Sequence, residues 1–88
     1  MIIAELKTAD GFRIKVALQD LSASGFQMRT ANYLGINQRV HLTMPTFESL
    51  LARVAWNADE LYGCEFVRPL HDSIFAHIAA KHPVLVAS

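Results

Sequence analysis

One cysteine, three prolines, four glycines and no surplus of either charge mark what this chain is short of. A single thiol, Cys64, rules out an internal disulfide and fits a reducing compartment. Eight Lys and Arg balance eight Asp and Glu, giving a formal net charge of +0. That balance argues against a nucleic-acid polymer as partner, because such binders rely on clustered excess cations. No apolar run approaches the roughly 18 residues that a membrane span needs. Met1–Lys7 lacks both the charged start and the long apolar centre of a secretory leader. No Gly-rich phosphate loop is present. A cytoplasmic, soluble protein is the expectation.

What the chain does have is alternation. Its 88 residues are 52% apolar, enough for one domain spanning 1–88 with a core that buries roughly two-thirds of the chain's surface. Phe12, Ile14, Val16 and Leu18 share one face, with Arg13, Lys15, Ala17 and Gln19 on the other. The same period of two runs through Phe26, Met28 and Thr30, through Val40, Leu42 and Met44, and through Leu50, Ala52, Val54 and Trp56. Tyr62, Cys64 and Phe66 complete the set. Turn residues at 8–11, 32–37, 45–46 and 57–60 separate these runs. With residues 2–7 as an opening strand, the reading is six short antiparallel strands over about 2–67, at the spacing of a small barrel.

The ending changes period. Pro69 closes the last strand and Asp72 is placed as an N-cap. Ile74, Phe75, Ile78 and Ala79 form the apolar stripe of an amphipathic helix over about 72–82, stopped by Pro83. The expected core is Phe12, Ile14, Val16, Phe26, Met28, Val40, Leu42, Val54, Trp56, Phe66, Ile74 and Ile78. The sequence predicts an all-β barrel with one C-terminal α-helix.

Few residues suggest chemistry. His71, His77 and His82 lack metal-ligand spacing and a Cys or carboxylate partner, so no metal is expected. Cys64 reads as a buried hydrophobe, and Trp56, on an inward position, as core. Asp59 and Glu60 read as a solvated turn. Nothing points to an enzyme, and no cofactor is expected.

The segment Asp20-Leu21-Ser22-Ala23-Ser24-Gly25 stands out. By itself D-x-S-x-x-G is a tight turn: Asp20 and Ser22 bond to nearby backbone and Gly25 supplies a positive φ. Its setting resembles the D/N-x-S-x-x-G signature of PilZ domains, bacterial modules that bind cyclic di-GMP. Leu34-Gly35-Ile36-Asn37-Gln38-Arg39-Val40-His41-Leu42, Ala52-Arg53-Val54-Ala55-Trp56 and Tyr62-Gly63-Cys64-Glu65-Phe66 resemble further strands of that family, in its order, over roughly residues 4–82.

The resemblance implies a six-stranded PilZ-like barrel in a bacterial cytoplasm with cyclic di-GMP as ligand. Asp20, Ser22 and Gly25 would be the ligand-binding residues. A carboxylate accepts from a guanine's N1–H and N2–H, a hydroxyl donates or accepts, and a glycine admits close approach. The family's second signature, R-x-x-x-R, has no counterpart among the basic residues before Asp20, which are Lys7, Arg13 and Lys15. Arg13, Lys15 and Arg29 are then the candidates for phosphate contact. Losing two charge-assisted hydrogen bonds costs about 3–6 kcal/mol. Taken from the roughly −8.2 kcal/mol of a micromolar receptor, that loss leaves millimolar binding or none. Two readings stand: a weak cyclic di-GMP module, or a degenerate PilZ domain working as a protein-interaction adaptor or homo-oligomerisation unit. An exposed apolar face around Ile3, Leu51 and the Val84–Val86 tail would favour the second.

Overall fold

The alternating runs form strands as expected. The computed structural model describes residues 2–44 and 47–85, with side chains 47, 48 and 84 left aside. The strands are β1 (Ile2–Thr8), β2 (Arg13–Leu21), β3 (Gly25–Arg29), β4 (Arg39–Met44), β5 (Phe47–Ala58) and β6 (Leu61–Phe66). They close into an antiparallel barrel in the order β1-β2-β3-β6-β5-β4, with β4 returning to pair with β1. Closure leaves no unpaired edge to seed aggregation. The sequence-predicted turn at 45–46 and the tail from 86 lie outside the described residues, as does the Val84 side chain.

The inward residues of all six strands fill the barrel. Leu6, Leu18, Met28, Val40, Leu42 and Val54 are fully buried. Phe26 and Phe66 pack with ring centroids 5.5 Å apart, tilted by 45°. Tyr62 is buried with its hydroxyl satisfied: it accepts from Leu34 N–H at 3.1 Å and donates to Asn32 O at 3.2 Å. Those bonds tie the β3–β4 connection across one end of the barrel, as a buried phenol requires.

Two expected core residues are outside. Phe12 is 69% exposed, because β2 begins at Arg13 and Phe12 belongs to the hairpin turn in which its carbonyl accepts from Thr8 N–H. Trp56 is 41% exposed, for a reason that belongs to the site.

The helix α1 (Asp72–Lys81) lies at the end of the barrel that carries the β2–β3 turn. Asp72 is its first helical residue, where its charge suits the helix dipole. The N-cap is His71, and it makes no side-chain capping bond. Ile78 is buried while Ile74 and Phe75 are half-buried against the core. A short 3₁₀ turn (Pro83–Leu85) follows and inserts Leu85, fully buried, beside β2. The end of β6 and the segment before α1 are stitched to the β2–β3 turn: Phe66 N–H donates to Ser24 O at 2.9 Å and Leu70 N–H to Ala23 O at 2.8 Å.

Candidate functional site

Strict alternation along β2 would send Asp20 inward after Ile14, Val16 and Leu18. It does not, because the β2–β3 register shifts between Leu18 and Asp20. The extra residue of this bulge turns Asp20 outward, opposite Gln27. A second bulge, between Val54 and Trp56, does the same on β5. Val54 stays in the core, Trp56 is turned out, and its partner is Gly63. Gly63 also pairs with Gln27. The result is one outward row across four adjacent strands, Asp20–Gln27–Gly63–Trp56, spanning about 14 Å at ~4.8 Å per strand.

The indole lies over Gly63. A methyl group built on Gly63 would overlap the indole nitrogen and its neighbouring ring carbons. Gly63 therefore has no room for a side chain, and the strand supplies a flat seat for the ring. The Asp20 carboxylate is half-buried and takes no hydrogen bond from the described residues, so its acceptors are available.

The turn between β2 and β3 closes the row at one side. Ser22 N–H donates to Gly25 O at 2.8 Å, and the Ser22 hydroxyl lies 3.1 Å from that of Ser24 and 3.4 Å from Gly25 O. Gly25 differs from the turn glycine expected, for it lies in β3, buried, and without a positive φ. Glycine is required there because a Cβ would strike the Cys64 carbonyl of the neighbouring strand. Asp20, Ser22, Gly25, Gln27, Trp56 and Glu65 line an open groove of about 280 Å³. Cys64 lies beneath it, its thiol pushed up to about 12 by burial, and so stays neutral. His41 is exposed on β4, so no Cys–His pair forms.

The cationic candidates lie elsewhere. Arg13 faces solvent, 3.6 Å from Glu5, and Lys15 sits opposite Glu5 in the β1–β2 register. Arg29 is exposed at the far end of β3, paired with Ala17 and Leu61. No Lys or Arg lines the groove among the described residues. Trp56 and Gln27 were missed as site residues. The available signal for Trp56 was Gly63, since a lone glycine inside a strand marks a bulge or a close approach.

The comparisons agree with the architecture. A family model described as PilZ domain matches residues 1–80. No curated protein and no solved structure matches the chain. With that match covering most of its length, on a six-stranded barrel closed by a C-terminal helix, the chain belongs to the PilZ domain family.

Proposed function

We propose that this PilZ domain is a regulatory binding module of a bacterial cytoplasm whose groove meets cyclic di-GMP weakly, because it lacks a guanidinium clamp. The observation that carries the reading is the composition of the groove. An acceptor carboxylate (Asp20), the Ser22 hydroxyl and a seated indole (Trp56) line it together, and no cation does. Asp20 accepts a guanine's N1–H and N2–H, and Ser22 adds an adaptable partner. Trp56 stacks against a base, an interaction worth about 1–3 kcal/mol per base. At about 280 Å³ the groove is below the usual range for an enclosed ligand site, so the dinucleotide lies across it with its phosphates in water. Such a module does no bond chemistry. It signals by what its surface binds.

Calorimetric titration of cyclic di-GMP tests this. Expected is a dissociation constant near millimolar, abolished by Asp20→Ala and weakened at least about threefold by Trp56→Ala. Salt should weaken any residual binding only if Arg29, Arg13 or Lys15 reaches a phosphate. A micromolar, salt-insensitive isotherm that survives Asp20→Ala would defeat the proposed site. A second reading, the protein adaptor, draws on the exposed apolar side chains Ile3, Phe12, Tyr33 and Ile36 away from the groove.

A further inference from the structure

The opposite side of the barrel carries a pattern that strand pairing disfavours. On the outer face of β2, β1 and β4, Arg13 sits directly across from Lys7, and Lys7 directly across from His41. One step along, Arg39 is directly across from Arg53. Like charges in direct register destabilise a sheet, and their Cβ atoms stand only about 5 Å apart. The local compensation is thin. Glu5 lies 3.6 Å from Arg13, with both side chains well exposed, and Glu65 holds Arg53 at 2.9 Å. Lys7 and Arg39 have no ion-pair partner among the described residues. Lys7, Arg13 and Arg39 thus share a face away from the groove, while Arg53 borders the groove through its ion pair with Glu65.

Beside that cationic row the same face turns apolar. Ile3 is 60% exposed and borders a shallow hollow of about 300 Å³ with Ala4 and Met44, flanked by Thr43 and by the facing pair Glu5 and Lys15. Ile3 lies four residues from Lys7 on β1, about 13 Å along the strand.

We propose that this face docks an amphipathic segment of a partner protein, its acidic side chains on the Arg13–Lys7–His41 row and its large apolar side chain in the Ile3 hollow. Charge complementarity selects an acidic partner. The hollow selects a protein segment over a nucleic acid, which offers phosphates without an aliphatic anchor. The chain's zero net charge also gives a long polyanion little to gain beyond the row. The proposal names a partner class for the adaptor reading and does not depend on nucleotide binding.

Fluorescence anisotropy on the whole chain tests it, with a labelled peptide of about twelve residues carrying glutamates and leucines as probe. Controls are the same peptide with Glu→Lys, one with Leu→Ala, an oligothymidylate, and phosphatidylserine vesicles. Expected is saturable binding of the acidic leucine peptide, at least about tenfold tighter than the Glu→Lys and Leu→Ala peptides. Binding should drop about tenfold in Lys7→Glu/Arg39→Glu and persist in Asp20→Ala. Equal binding of acidic and basic peptides, indifference to Lys7→Glu/Arg39→Glu, or tighter binding of the oligonucleotide or vesicles would each overturn it. A second measurement needs no partner. Lys7→Glu alone should raise the melting temperature by roughly 1–8 °C, because the repulsive Lys7–Arg13 register pair is relieved. An unchanged or lowered melting temperature would overturn the claim that the row is held against its own repulsion.

Discussion

Gly63→Ala is the substitution in which two opposed effects give opposite signs. In an ordinary strand position with compatible backbone, Gly→Ala stabilises by about 0.4–1 kcal/mol through the unfolded chain. Gly63 has such a backbone, with no positive φ. Here, however, the new methyl group would occupy the seat of the Trp56 indole. More than half of Trp56 is covered in the folded protein. For an aromatic of this size that is roughly 100 Å², worth about 2.5 kcal/mol at ~25 cal/mol per Å². Lifting the ring off its seat forfeits most of it, and the gain from alanine offsets only part. The net expectation is a loss of about 1–2 kcal/mol, or roughly 4–16 °C in melting temperature for a domain of this size. Trp56 is the single tryptophan of the chain, so its emission follows the event directly. Urea titration followed by fluorescence should show a lowered midpoint and a red-shifted folded-state spectrum. A stabilised Gly63→Ala with unchanged emission would refute the seated-indole account.

Three further expectations follow from packing and ionisation. Leu85→Ala should cost about 2–5 kcal/mol in urea midpoint analysis, since Leu85 is fully buried against the barrel; a loss below ~1 kcal/mol would mean that the 3₁₀ turn does not dock. Gly25→Ala should destabilise by more than about 2 kcal/mol, because the obstructing atom is the Cys64 backbone carbonyl and cannot swing aside; a neutral result would show that β3 and β6 separate easily. Burial pushes the Cys64 thiol from 9.0 up to about 12, so its contribution is full below pH 9.0 and is lost as pH rises towards 12. By pH ~10.5 the folded chain should have lost about 2 kcal/mol relative to Cys64→Val, and equal pH slopes for the two would contradict the burial of the thiol.

Most of the fold was legible because it rests on period-two burial, which needs no knowledge of distant contacts. Val16, Met28, Leu42 and Phe66 face inward as their alternation requires. What the pattern could not convey was where it breaks. A bulge adds one residue to one strand and is visible only against its partner, so counting along β5 put Trp56 on the wrong side, and counting along β2 would have done the same to Asp20. Asp20 was singled out by its motif and not by its place in the alternation. Trp56 was not, since its outward turn depends on both the bulge after Val54 and the bare backbone of Gly63 on β6. Phe12 was misplaced for a simpler reason: alternation continues in the sequence one residue past the point where the hairpin leaves the barrel. Gly25 was read as a turn glycine with a positive φ, whereas it lies in β3 and its constraint is interstrand contact with Cys64 and not a left-handed backbone. The buried Leu85 was hidden in a tail whose role no periodicity could signal.

Two bulges bring Asp20 and Trp56 onto one outward row, which we propose faces the ligand. The most direct test is two-dimensional amide NMR of the labelled chain during titration with cyclic di-GMP to millimolar concentration, which reports weak binding residue by residue. Progressive, fast-exchange shifts are expected at Asp20, Ser22, Gln27 and Gly63 and at the Trp56 indole N–H, all absent in Asp20→Ala. Shifts confined to Lys7, Arg13 and His41 on the opposite face, or a Trp56 indole signal that does not move while others saturate, would contradict the proposal.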